Sequence, residues 1–131
     1  MQEVKIMAAI YQIFLFFIGG SGYVGLELLW RGRSHISMFL AGGTCFLLLG
    51  KLDRAKLTPF GKCLLGAATI TAVELLMGLL FNRDYRVWDY RKMPFHFMGQ
   101  VCLYYSLLWI PVSFGAIWLH RLLTNKLRRV A

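Results

Sequence analysis

Glu74 is the residue of this sequence whose type and setting are hardest to reconcile with a purely structural role. It is a carboxyl near the centre of an apolar run from about Cys63 to Phe81. Ionisable groups at such a depth are costly and face a bundle interior or a cavity. A carboxyl there serves a proton- or cation-linked site, or it hydrogen-bonds to a neighbouring helix; both readings stay open at this point. Glu27 stands one turn before Arg31, an i,i+4 pair at the end of the first apolar run. Gln100 reads as lying one turn inside the last run, from where its amide would reach Glu27 or Glu74. Asp89 sits in Trp88-Asp89-Tyr90, among Arg86, Arg91 and Lys92, and suits a loop ion pair, a helix cap or a binding site. Asn82 follows the third run and is placed to cap it. His35 and His96 open the second and fourth runs, but no ligand-spaced motif joins them, so neither a metal nor another cofactor is expected. A Ser-based nucleophile elbow and a phosphate-cradling Walker loop are both absent from the sequence, so this chain does not hydrolyse ATP by itself.

The elements that must position these groups are four apolar segments, at about residues 6–30, 36–50, 63–81 and 95–119. A transmembrane helix needs about 20 residues. The first, third and fourth segments meet that length, and the second reaches it if His35 and Lys51 snorkel at its ends. Barrel strands would alternate in runs of about ten residues; these runs are solid. The expectation is an all-α integral membrane four-helix bundle forming a single domain over 1–131, with a basic tail at 120–131 that continues the fourth helix into water. The link from Asn82 to Pro94, with Tyr85, Trp88 and Tyr90, should lie along the membrane interface.

Composition forces the bilayer on the argument. The 131 residues are 58% hydrophobic and 16% charged, whereas a soluble domain carries about 25% charged residues. A chain this short cannot hide so much apolar surface internally. The net charge of +9 would suggest nucleic acid in a soluble protein. Here the cations cluster between apolar runs, as in cytoplasmic loops and headgroup anchors, and no nucleic-acid partner is expected. Cys45, Cys63 and Cys102 are odd in number and lie in or beside apolar runs, so they read as small buried hydrophobes.

Counting cations near the span ends gives nine on the side of the termini and the middle loop against six on the other. This bias puts both termini in the cytoplasm of a multi-pass cell-membrane protein. Gly19, Gly20, Gly22, Gly25, Gly42, Gly43 and Gly66 suit close helix packing, and Pro111 should bend the fourth helix. Glu27-Leu28-Leu29 parallels Glu74-Leu75-Leu76, and Gly42-Gly43-Thr44-Cys45 parallels Gly99-Gln100-Val101-Cys102. These matches hint at two helical hairpins related as a parallel repeat.

Several blocks carry a family resemblance: Gly25-Leu26-Glu27-Leu28-Leu29-Trp30-Arg31-Gly32, Ala41-Gly42-Gly43-Thr44-Cys45-Phe46, Thr71-Ala72-Val73-Glu74-Leu75, Val87-Trp88-Asp89-Tyr90, Pro94, Gly99 to Ser106, and Trp109. Together, over about Tyr11 to Pro111, they resemble the CmpB-like "putative type IV ABC-transporter permease" family. Where the family pattern has Ser after Trp-Asp-Tyr and Asn after Pro-Phe, this chain has Arg91 and His96. The resemblance implies a permease-like transport component, working as a homo-oligomer or with other membrane subunits, and with a separate ATPase. No feature of the sequence excludes a regulatory or scaffolding subunit, and two other functions fit particular residues. One is a small proton-coupled exporter built around Glu74. The other is a membrane-embedded enzyme for lipid or isoprenoid headgroups, using Asp89, His35, His96 and nearby arginines.

With helix directions alternating, Glu27, Glu74, Asn82, Trp88, Asp89 and Gln100 should converge toward the outer half of the bundle, with Trp88 as a lid and Asp89 near the glutamates. Arg31 and His96 lie on the same side and complete the set of candidate ligand-binding or transport residues.

Overall fold

Two local signals set the helix starts. Thr58 accepts a hydrogen bond from the Gly61 N–H at 3.0 Å, and Pro59 occupies the first turn behind it. His35 Nδ1 accepts from the Ser37 N–H at 3.1 Å. The structure, a computed structural model, describes residues 2–32, 35–86 and 88–130. Arg33 lies outside the described residues, as do the side chains of Arg31, Arg128 and Arg129.

Four helices account for most of the chain: α1 (Gln2–Arg31), α2 (Ile36–Leu52), α3 (Pro59–Phe81) and α4 (Leu103–Val130). Between α3 and α4 two short strands, β1 (His96–Phe97) and β2 (Val101–Cys102), pair antiparallel with His96 opposite Cys102. Gln2–Leu29, Pro59–Phe81 and Leu103–Lys126 are long and apolar enough to cross a membrane. α2 is apolar but has 17 residues, about 25 Å of helix, somewhat less than the ~30 Å hydrocarbon core. The all-α membrane bundle read from the sequence is the observed fold.

Two expectations need correction. The fourth helix starts at Leu103 rather than Phe95, because Phe95, Met98 and Gly99 adopt φ of +56°, +55° and +68° and turn the chain back on itself. Gln100 therefore belongs to a turn, not to a helix. The same reversal breaks the suggested repeat: Gly42–Cys45 is helical, whereas Gly99–Cys102 is turn and strand. α4 runs unbroken through Pro111.

α2 is the organising element and packs on each of the other helices. Its seam with α1 is closed by glycine: a Cβ on Gly19 would strike Phe46, and one on Gly42 would strike Tyr23. Such backbone proximity gives dispersion contacts that lipid cannot match. The central core is Ala41, Cys45, Leu49, Ile70, Val73 and Ile117. At one end, Asp53 after α2 binds Arg121 of α4 at 2.6 Å and Lys62 of α3 at 2.9 Å. At the other end, Met38 of α2 packs with Trp88, Tyr90 and Cys102 of the α3–α4 connection. The connection thus forms a cap over one end of the bundle.

Candidate functional site

Glu74 is 4% exposed on the inner face of α3. Tyr90 O–H donates to its Oε1 at 3.1 Å, and Trp109 Nε1–H donates to its Oε2 at 3.2 Å. Each donor is itself held by an aromatic neighbour. Tyr90 stacks on Tyr105 at 4.9 Å and 20°, and Trp109 lies against Tyr23 of α1 at 5.8 Å. Tyr23 is within electrostatic reach of Glu74, Glu27, Tyr90 and Cys45. A carboxyl from α3 is therefore gathered with a hydroxyl donor from the cap and an indole donor from α4, with Tyr23 of α1 against the indole.

The cap delivers Tyr90 because a second group of side chains fixes its path. Asn82, which ends α3, donates from Nδ2 to Trp88 O at 2.6 Å and to Gln100 Oε1 at 2.9 Å, and accepts from Trp88 N–H at 3.2 Å. Gln100 Nε2 donates back to Asn82 O at 3.0 Å, and Trp88 Nε1 donates to Gln100 O at 2.8 Å. The main chain adds Tyr90 N–H to Gly99 O at 2.9 Å. Gly78 makes room for this knot, since a Cβ there would strike the Gln100 side chain. Buried amides satisfied in this way rigidify a structure, whereas a half-satisfied set would be costly.

The structure brings Glu74, Asn82, Trp88 and Gln100 to one end of the bundle and leaves Asp89 and His96 exposed on the cap. Gln100 bonds Asn82 and Trp88 rather than Glu74. Trp88 is a buried post of the cap, 2% exposed, and not a lid. Asp89 is on the surface, where Arg91 reaches both of its oxygens at 2.9 and 2.7 Å. That correction has a simple cause: a guanidinium two residues away outcompetes any distant partner. Arg91 holds the Asp89 carboxyl down at about 2, and Asp89 in turn pushes the Arg91 pKa up. His96 is exposed and accepts from Gly99 N–H at 3.0 Å within the strand turn. Glu27 is half-buried near Tyr23, and its expected pairing with Arg31 falls on a side chain outside the described residues. Among the described residues, no cluster of three His, Cys, Asp or Glu could hold a metal ion.

Below the cluster, α1 and α4 scarcely touch and leave an apolar groove of about 470 Å³. Tyr23, Cys45, Ile70 and Trp109 line it near Glu74, and Ile18 and Leu119 line it further along the helices. Gly22 and Gly115 also line the groove, and a Cβ on either would meet no atom within 4 Å.

The sequence reading singled out Glu74 but missed Tyr23, Tyr105 and Trp109 as its surroundings. The signal was available: Tyr23 stands i,i+4 to Glu27 and Tyr105 stands i,i+4 to Trp109, so each pair shares a helix face.

Span-length apolar helices joined around a buried polar cluster define a multi-pass helical membrane protein. Within that class, a model of the family described as "Putative ABC-transporter type IV" matches residues 16–130, and the chain belongs to this family. No curated protein and no solved structure shows significant similarity to the chain.

Proposed function

We propose that the protein is a permease-like transport component that admits its solute sideways from the bilayer, along the α1–α4 groove, to Glu74. The observation that carries this reading is the double role of Trp109, which walls the groove and donates to the buried carboxylate. An apolar solute body gains burial along the groove at about 25 cal/mol per Å². Its polar end takes the place of the Trp109 or Tyr90 donor on Glu74. Occupancy of the groove thereby changes the hydrogen bonding of the acid and, through Tyr90, the seating of the cap.

One lateral groove is part of a pathway, so the working unit in this reading is a homo-oligomer or an assembly with other membrane subunits. Nucleotide energy enters through a separate ATPase subunit, since the sequence has no phosphate-cradling loop. The Asp53–Arg121 end and both termini face the cytoplasm, the side favoured by the cation count. The enzyme reading loses its support, because His35, His96 and Asp89 each complete local backbone or ion-pair geometry instead of converging.

The test is to purify the tagged full chain from native membranes in mild detergent and to measure ATP turnover in nanodiscs. A co-purifying nucleotide-binding subunit whose turnover responds to Glu74→Gln supports the proposal. A chain that purifies alone and releases protons on addition of tetraphenylphosphonium overturns it in favour of a proton-coupled exporter.

A further inference from the structure

The outer side of the cap carries a surface that the transport reading does not use. Phe95 is 82% exposed and Phe97 58% exposed, with Met98 beside them, although the partner strand β2 is buried. Phe95 and Met98 are bulky L-residues held at φ near +55°, a region such residues avoid. Strain of that kind persists only where the surroundings impose it, and it concentrates in segments kept for a task. The restraints are visible. Leu103 N–H donates to Phe95 O at 3.3 Å, Tyr85 O–H donates to Met98 O at 3.0 Å, and the Arg91 guanidinium lies 4.0 Å over the Tyr85 ring.

Two observations say what this surface meets. The first is continuity: Leu103, bonded to Phe95, opens the α4 span, and its side chain is exposed in the same way as the outward-facing side chains of that span. The apolar turn therefore lies at the rim of the lipid-facing band. The second is charge. The described part of the cap has Arg83, Arg86, Arg91 and Lys92 against Asp84 and Asp89, a surplus of two cations. Asp84 pairs with Arg86 and Asp89 with Arg91, which leaves Arg83 and Lys92 as the excess.

We propose that the rigid Phe95–Met98 turn is a membrane-interface anchor seated in the headgroup layer, with Arg83 and Lys92 drawing anionic phospholipid to it. Apolar side chains flanked by cations bind such a layer through burial and surface potential together. The anchor needs no transport activity to be detected, so its failure and the failure of the transport reading are separate results.

The experiment places a thiol-reactive fluorophore on Phe95→Cys in the full chain; Cys45, Cys63 and Cys102 are buried and do not compete. The labelled protein is reconstituted in phosphatidylcholine alone or mixed with phosphatidylglycerol. Lipids brominated close to the headgroup and aqueous iodide serve as quenchers. Strong quenching by the brominated lipid is expected, with brominated phosphatidylglycerol favoured over brominated phosphatidylcholine. Lys92→Gln and Arg83→Gln should each reduce that preference by up to about fivefold. Quenching by iodide alone overturns the proposal by placing the turn in water. Protection from both quenchers overturns it in favour of a protein contact, and lipid quenching with no response to phosphatidylglycerol or to the two charge variants overturns the anionic-lipid assignment.

Discussion

The indole N–H of Trp109 on α4 reaches the Glu74 carboxylate on α3 across 3.2 Å, and the Tyr90 hydroxyl of the cap meets the other oxygen at 3.1 Å. Removing the acid leaves one buried and one half-buried donor without this acceptor. Glu74→Ala should destabilise the bundle by about 1–3 kcal/mol, measured by unfolding in mixed micelles. Glu74→Gln keeps an acceptor and should cost less than half as much, yet impair transport, because its amide offers one acceptor oxygen where the carboxyl receives a donor on each of two. Equal stability loss in both variants would contradict the hydrogen-bond account.

Glycines packed against α2 and glycines facing the open groove should behave oppositely. Gly19→Leu meets Phe46 and should cost about 1–3 kcal/mol through overpacking. Gly22→Leu and Gly115→Leu point into open space in the groove. They should leave stability within about 0.5 kcal/mol of the parent while blocking solute flux. Unimpaired flux in both groove variants would remove the groove from the mechanism.

Gly78→Ala places a methyl group where Gln100 makes its bonds to Asn82. Gln100 must move, and the cap should loosen at a cost of about 1–3 kcal/mol. Trypsin provides a direct reading: cleavage at Arg83, Arg86 and Arg91 should accelerate while cleavage near Arg54 stays unchanged. A uniform increase at all of these sites would instead indicate global unfolding.

The Asp53 clasp should show a defined pH dependence. The Arg121 guanidinium, aided by Lys62, holds the carboxyl at about 2, below the ordinary value of about 3.9. A lowered folded-state pKa stabilises fully above the unfolded value and is lost as pH falls through the folded one. The contribution should be complete above about pH 5 and fade towards pH 2, staying below about 1 kcal/mol at this partly solvated position. Arg121→Gln should flatten the change of Tm with pH across that window.

Hydropathy made the helices legible because α1, α3 and α4 owe their existence to apolar length, which is a property of composition. It mistook residues 95–102 for helix because Phe95-His96-Phe97-Met98 is as apolar as a span. The reversal there is set by three positive-φ residues, Phe95, Met98 and Gly99, and apolarity does not encode φ. Glu74 was legible as a misfit in its surroundings. Its donors were not, since Tyr90 and Trp109 are ordinary residues whose meaning depends on how the cap folds. Asp89 was drawn towards the glutamates by its motif, while Arg91, two positions on, had already claimed it.

The clasp between Asp53 and Arg121 spans 68 residues of sequence, and this has a consequence for biogenesis. The α1–α2 seam closes from neighbouring segments and is complete as soon as both have left the ribosome. α2 is shorter than the three span-length helices and draws its main packing from α1. Its far end is held to α3 through Lys62 first, and to α4 only once Arg121 has been synthesised. A nascent chain stalled before that point would carry Asp53 without its guanidinium partner, so the join between the first and last helices' hairpins is the last contact of the bundle to form.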